Sequence, residues 1–196
     1  MTERLQEILN VSLKCFARYG YKKTTMDEIA AELGLTKGAL YSYAKNKEDL
    51  YQKAVASALG KWQTRVREAV EGAANPRDKF IALSYKAFKY LAEDDEMRNI
   101  IISDPNIFPM FPKDDPFREI NENSRNLLRS VLEEGVATGI FRPIDLESTT
   151  WLLFSIYKMF IIDTYVVSDQ EATEKLFDDT VDLVLHGLLR QSGHQQ

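Results

Sequence analysis

Between Thr25 and Tyr43 an otherwise helical pattern has to turn a corner within three residues. Thr25-Met-Asp-Glu28 reads as a capping box, in which the threonine hydroxyl closes one end of a helix and the glutamate reaches back to it. The run it opens carries Ile29, Ala30 and Leu33 and stops at Gly34. Thr36 can cap the next run, which carries Leu40, Tyr41 and Tyr43. Only Gly34-Leu35-Thr36 lies between them, with Leu35 expected to plug the corner. Two short helices about so tight a turn are the sequence form of a helix-turn-helix. A glycine corner of this kind is also ordinary packing in all-α proteins, so the residues beyond it have to decide.

Those residues are small, polar or cationic: Lys37, Gly38, Ala39, Ser42 and Tyr43. Glycine inside a helix costs about 1 kcal/mol relative to alanine. Gly38 therefore points to something that approaches the backbone closely, as a DNA groove would. Lys37 can donate to guanine, Ser42 can donate or accept, and Ala39 can touch a thymine methyl group. Lys47 stands in the first turn of the following helix, where the dipole disfavours a cation. A phosphate shared between the helix start and Lys47 would reverse that penalty; the alternative is a solvated lysine. Thr25 could hold a second phosphate in the same way.

The rest of the chain is also helical in pattern, about nine helices in all, with no strand signal or internal repeat. The first helix places Leu5, Leu9, Ser12 and Phe16 at helical spacing, with Ile8 and Tyr19 beside them, and ends at Gly20. Asn46 caps a long helix from about Lys47 to about Glu71, and Pro76 opens another. Pro105, Pro109, Pro112 and Pro116 interrupt the middle of the chain, and further helices fill Pro116 to Gly139, Asp145 to Val167 and Asp169 to Gln191. One cysteine, Cys15, excludes a disulfide framework and a Cys-rich zinc site. The longest apolar stretch, Trp151 to Val167, is broken by Ser155, Lys158, Asp163 and Thr164, so no membrane partner is expected. The start, MTERLQEIL, does not read as a signal peptide, and a cytoplasmic protein is the expectation.

A net charge of −5 argues against nucleic acid only until it is divided. Residues 1–60 hold nine Lys and Arg against seven Asp and Glu, a net of +2, and the remainder carries −7. Only the head has to meet phosphate.

The stretch Gly20-Tyr-Lys-Lys-Thr-Thr-Met-Asp-Glu-Ile-Ala-Ala-Glu-Leu-Gly-Leu-Thr-Lys-Gly-Ala-Leu-Tyr-Ser-Tyr-Ala-Lys-Asn-Lys-Glu-Asp-Leu50 resembles the N-terminal DNA-binding domain of the TetR (tetracycline-repressor-like) family. The Thr-Thr-x-x-x-Ile-Ala start, the Gly-x-x-x-Gly turn region and the Leu-Tyr-x-Tyr-x-Lys-Asn-Lys-Glu-x-Leu ending agree in order and spacing. The likeness covers about the first quarter of the chain; beyond it only length and helical content agree. It implies an all-α chain with a helix-turn-helix domain at 1–50 and a helical ligand-binding and dimerisation domain at 51–196. It implies that Thr36, Lys37, Gly38, Ala39 and Ser42 face bases, that Tyr41, Tyr43 and Lys47 contact bases or phosphate, and that Thr25 contacts phosphate. Ala44 departs from the family, which commonly has a bulky apolar residue there, and that puts local packing in doubt.

A helix-turn-helix reads few base pairs alone, so a homodimer on a two-fold double-stranded operator is expected. The last two helices are the candidates, through Trp151, Phe154, Phe177, Val181, Val184, Leu185 and Leu188; the alternative is a fully internal helix in a monomer. Trp62, Phe80, Tyr85, Phe88, Met97, Phe108, Met110, Phe111, Phe117 and Tyr157 could be plain core or line a pocket for a small apolar or aromatic effector. The segment Asp104 to Pro116 is either a cover for that pocket or a surface loop. Lys158 and Asp163 either orient a polar group of the effector or reach solvent. His186 reads as a hydrogen-bonded interface or core residue. No metal site, cofactor motif or nucleophile pair is spaced for catalysis, so no enzyme is expected. The expected function is a DNA-binding regulator, a repressor released by its effector; the alternative is a helical sensor or interaction protein with no DNA target.

Overall fold

The computed structural model describes residues 2–108, 115–164 and 170–190. Among them nine α-helices alternate with turns: α1 (Glu3–Tyr19), α2 (Met26–Glu32), α3 (Lys37–Tyr41), α4 (Lys47–Glu71), α5 (Pro76–Ala92), α6 (Asp95–Ser103), α7 (Arg118–Ala137), α8 (Leu146–Ile162) and α9 (Gln170–Leu188). A short 3-10 turn, Pro105–Ile107, follows α6, where the proline density forbids a longer helix. The only β-type pairing among the described residues is one bridge, Phe141 to Leu189.

The chain forms two compact units, Met1–Trp62 with Leu91–Ile120, and Gln63–Tyr90 with Asn121–Gln196. In the first, α1 packs against α6 and α2, and α2 packs against α3. The buried face of α1 is Ile8, Leu9, Ser12, Leu13, Cys15 and Phe16. The expected stripe is thereby rotated: Leu5 is only half-buried and Tyr19 points to solvent. The Ser12 hydroxyl stays satisfied in this core by donating to the Ile8 carbonyl at 2.7 Å. The Tyr51 ring of α4 meets Phe16 edge-on at 5.1 Å, and its phenol donates to the Asp104 carboxylate at 2.9 Å. Burial, followed by the charge of Asp104, pushes that phenol far above its ordinary pKa.

In the second unit Phe177 of α9 is the hub of an aromatic cluster. Its ring lies 4.2 Å from Phe88, 5.3 Å from Phe160 and 5.6 Å from Tyr85, and Tyr157 meets Phe88 edge-on at 5.5 Å. The segment between α7 and α8 is tied to the end of α9 by Arg142 N–H to the Leu188 carbonyl and Arg190 N–H to the Ile140 carbonyl. Phe141 enters the core there, 1% exposed, directly against the backbone of Gly135.

Candidate nucleic-acid interface

The corner of the first unit is built by local chemistry. The Thr25 hydroxyl accepts from Glu28 N–H, and the Glu28 carboxylate accepts from Thr25 N–H at 2.8 Å, so the capping box closes in both directions. Gly34 takes φ +63, a conformation that a residue with a Cβ adopts only at a cost, and the turn carries Leu35 N–H onto the Ala30 carbonyl at 2.8 Å. Leu35 itself is half-buried. Thr36 caps α3 by accepting from Ala39 N–H, and Leu40 is the buried anchor of α3 at 0% exposure. Asn46 caps α4 through Asp49 N–H at 2.8 Å.

This scaffold leaves one side of α3 in solvent. Thr36, Lys37, Gly38, Tyr41 and Ser42 are exposed, and Ala39 and Tyr43 are half-exposed. A Cβ placed on Gly38 would meet no atom within 4 Å. No internal packing therefore requires glycine at that position. Ala44, the departure from the family, is buried at 2% exposure.

Several of these groups already have partners within the chain. The Lys37 ammonium donates to Asp27 of α2 at 2.7 Å, across the corner, and that bond holds its pKa above the ordinary lysine value. The Ser42 hydroxyl donates to the Ala39 carbonyl. The Thr25 hydroxyl also donates to the Glu28 carboxylate at 2.9 Å. Lys47 turns inward: its ammonium donates to the Tyr21 carbonyl at 2.8 Å and the Thr24 carbonyl at 3.1 Å, and lies 4.5 Å from the Tyr21 ring centroid. The carbonyl oxygens supply the negative charge that the helix start denies this cation. Sequence periodicity carried no signal for these inward contacts.

The other expected site residues divide between the units. Trp62, Met97, Phe108 and Phe117 belong to the first, where the Trp62 and Phe108 rings meet edge-on at 6.0 Å. Phe80, Tyr85, Phe88 and Tyr157 belong to the second. Met110 and Phe111 lie outside the described residues, as do the other residues of 109–114 within the stretch from Asp104 to Pro116. Of the residues expected at a dimer interface, Phe177, Val181, Leu185 and Leu188 are between 4% and 8% exposed within a single chain. Phe154 and Val184 are half-buried, and Trp151 is 62% exposed. Leu152, Met159, Leu176 and Leu183 are exposed apolar residues of the same two helices. His186 is exposed, beside Asp182.

Comparison with known proteins agrees with this geometry. Residues 8–54 match the family model described as bacterial regulatory proteins, tetR family. The chain is 28% identical over 163 residues to the HTH-type transcriptional repressor KstR2 of Mycolicibacterium smegmatis, covering 79% of this chain and 80% of that protein. Its fold is similar to that of the transcriptional regulator FadR of Bacillus subtilis, solved in complex with stearoyl-CoA, with a TM-score of 0.76 at 24% identity over 94% of this chain and 99% of that one. A TetR transcription regulator of Haloarcula marismortui superposes with a TM-score of 0.82 at 20% identity, covering 97% of this chain and all of the other. With its capped α2–turn–α3 corner inside the matched segment and relatives alike over most of its length, the chain is similar to the tetR family of bacterial regulatory proteins.

Proposed function

We infer that this chain is a cytoplasmic transcriptional repressor that binds a two-fold DNA operator as a homodimer and leaves it when a small apolar effector binds. The observation that carries the reading is the solvent face of α3: Lys37, Gly38, Tyr41 and Ser42 stand exposed on a helix fixed by caps and by buried Leu40, with open space over Gly38. A major groove accepts a helix of this kind, and a dimer places two of them about 34–36 Å apart. In this reading residues 1–50 are the DNA-binding part and 51–196 the part that senses and dimerises. Leu152, Met159, Leu176 and Leu183, with Trp151, offer α8 and α9 an apolar exterior suited to a second copy.

The effector reading rests on the aromatic cluster about Phe177 and on the relatives, one named for ketosteroid regulation and one solved with stearoyl-CoA. A long acyl chain and a sterol-like ring system are the two ligand classes to try first. The test selects duplexes from a random-sequence library with the full-length protein, then titrates the complex with stearoyl-CoA or a ketosteroid. Enrichment of an inverted repeat, and its release by one of these ligands, is the expected result. No enrichment at low salt would sink the DNA reading; enrichment without release would sink only these effector classes.

A further inference from the structure

We propose that Asp27 is a specificity-determining residue of the DNA-binding head: it competes with DNA for the Lys37 ammonium and so lowers the discrimination that Lys37 exerts at the base pair it meets. This rests on the DNA-binding reading above. The two side chains come from opposite sides of the corner and meet at 2.7 Å. The Lys37 side chain is 50% exposed and that of Asp27 65%, so the pair stands in solvent. Lys37 shares the open side of α3 with Gly38, Tyr41 and Ser42.

The fold does not depend on this bond. Thr25 and Glu28 close the start of α2 between them. Gly34 and the Leu35 N–H on the Ala30 carbonyl hold the turn, and Thr36 and buried Leu40 hold α3. What the bond supplies is local electrostatics. Lys37 is the first residue of α3, where the helix dipole disfavours a cation, and the Asp27 carboxylate offsets that. Guanine offers only the neutral acceptors O6 and N7. To reach them the ammonium gives up an attraction between full charges. Lysine is a point charge on a flexible stem rather than a rigid fork, so the bond draws the ammonium towards α2 without fixing where its other N–H groups point. A groove flanked by phosphates adds to the competition, because Asp27 parted from Lys37 would face them as a bare anion.

The test uses full-length protein, the duplex enriched from the library, and duplexes with one base pair at a time changed in both half-sites. Fluorescence anisotropy gives each affinity. The position whose preference collapses in Lys37→Met is the base pair that Lys37 meets. There Asp27→Asn should widen the affinity ratio between enriched and changed duplex by about 2- to 5-fold per half-site, the strength of an exposed ion pair. The ratios at other positions should stay as they are, and in Lys37→Met protein Asp27→Asn should change no ratio. Wild-type ratios in Asp27→Asn overturn the proposal even if binding tightens to all duplexes alike, because Asp27 then only repels phosphate. A narrowed ratio overturns it by showing that Asp27 aims Lys37. A change that persists in Lys37→Met overturns it by showing that Asp27 reads a base itself, and so does a Lys37→Met protein that keeps every preference. Asp27→Ala repeats the measurement with a side chain that cannot hydrogen-bond, and circular dichroism checks that each variant is folded. Wild-type protein that enriches no duplex overturns the DNA reading instead.

Discussion

Gly38→Ala should make the free protein more stable and the DNA complex weaker, and the opposite signs are the test. The new methyl group would meet no atom within 4 Å, and Gly38 is not among the glycines with positive φ, so neither packing nor backbone opposes the change. The helix-propensity gain is at most about 1 kcal/mol, and less in a helix of five residues. For a chain of this length that corresponds to a rise in melting temperature of about 1–3 °C. In the complex the methyl group would stand in the space that the groove floor is expected to occupy. Overfilling a close-packed contact costs about 1–3 kcal/mol, or about 5- to 160-fold in affinity. Thermal unfolding by circular dichroism reads the first effect, and fluorescence anisotropy with the enriched duplex reads the second. Unchanged affinity in a stabilised variant would refute the close-approach argument. Lower stability would show that the chain itself requires the glycine.

Gly135→Ala should do the reverse and act on stability alone. Its Cβ would fall 2.0 Å from Phe141 Cδ2, on a ring that is 1% exposed and whose N–H is held by the Gly135 carbonyl, so a loss of about 2 kcal/mol in a denaturant titration is expected; a wild-type midpoint would mean that the ring moves freely. Leu176→Glu/Leu183→Glu should convert dimer to folded monomer in light scattering, because both side chains are exposed on α9; a persisting dimer would move the interface elsewhere. Asp145 caps α8, and the bonds it accepts from Ser148 hold its carboxyl below the ordinary aspartate value of 3.8. A depressed carboxyl contributes stability above its unfolded pKa and loses it as pH falls through the folded one. The melting-temperature gap between wild type and Asp145→Ala should therefore be full at pH 7 and close below about pH 3.8; a gap independent of pH would remove the charge from the argument.

What could be read from the sequence was what neighbours along the chain decide. The capping box at Thr25, the cap at Asn46, the turn at Gly34 and the start at Pro76 depend on residues within four positions, and each stands where the pattern put it. The solvent face of α3 was legible for the same reason. The direction of Lys47 was not, because its partners lie 23 and 26 residues away and their carbonyls are invisible to side-chain periodicity. The last helices are a different case. Their period shows that α9 is apolar on several sides, but not which side its own chain consumes. Phe177 and Leu188 went inward and Leu176 and Leu183 outward, a choice made by the rings of Tyr85, Phe88 and Phe160. The inclusion of residues 91–120 in the same compact unit as the head is long-range in the same sense.

If Lys37 reads a base, its bond to Asp27 changes what a wrong base would cost. A recognition lysine with no home must either find an acceptor or be stripped of water without one, and it punishes a mismatch severely. Lys37 always has somewhere to return. Meeting guanine is an exchange of one oxygen for another, and meeting any other base leaves the ammonium with the carboxylate of its own chain. Discrimination at that base pair would then be graded rather than absolute. A regulator built this way can serve a set of imperfect sites with different strengths, ranking its promoters by how fully each draws Lys37 away.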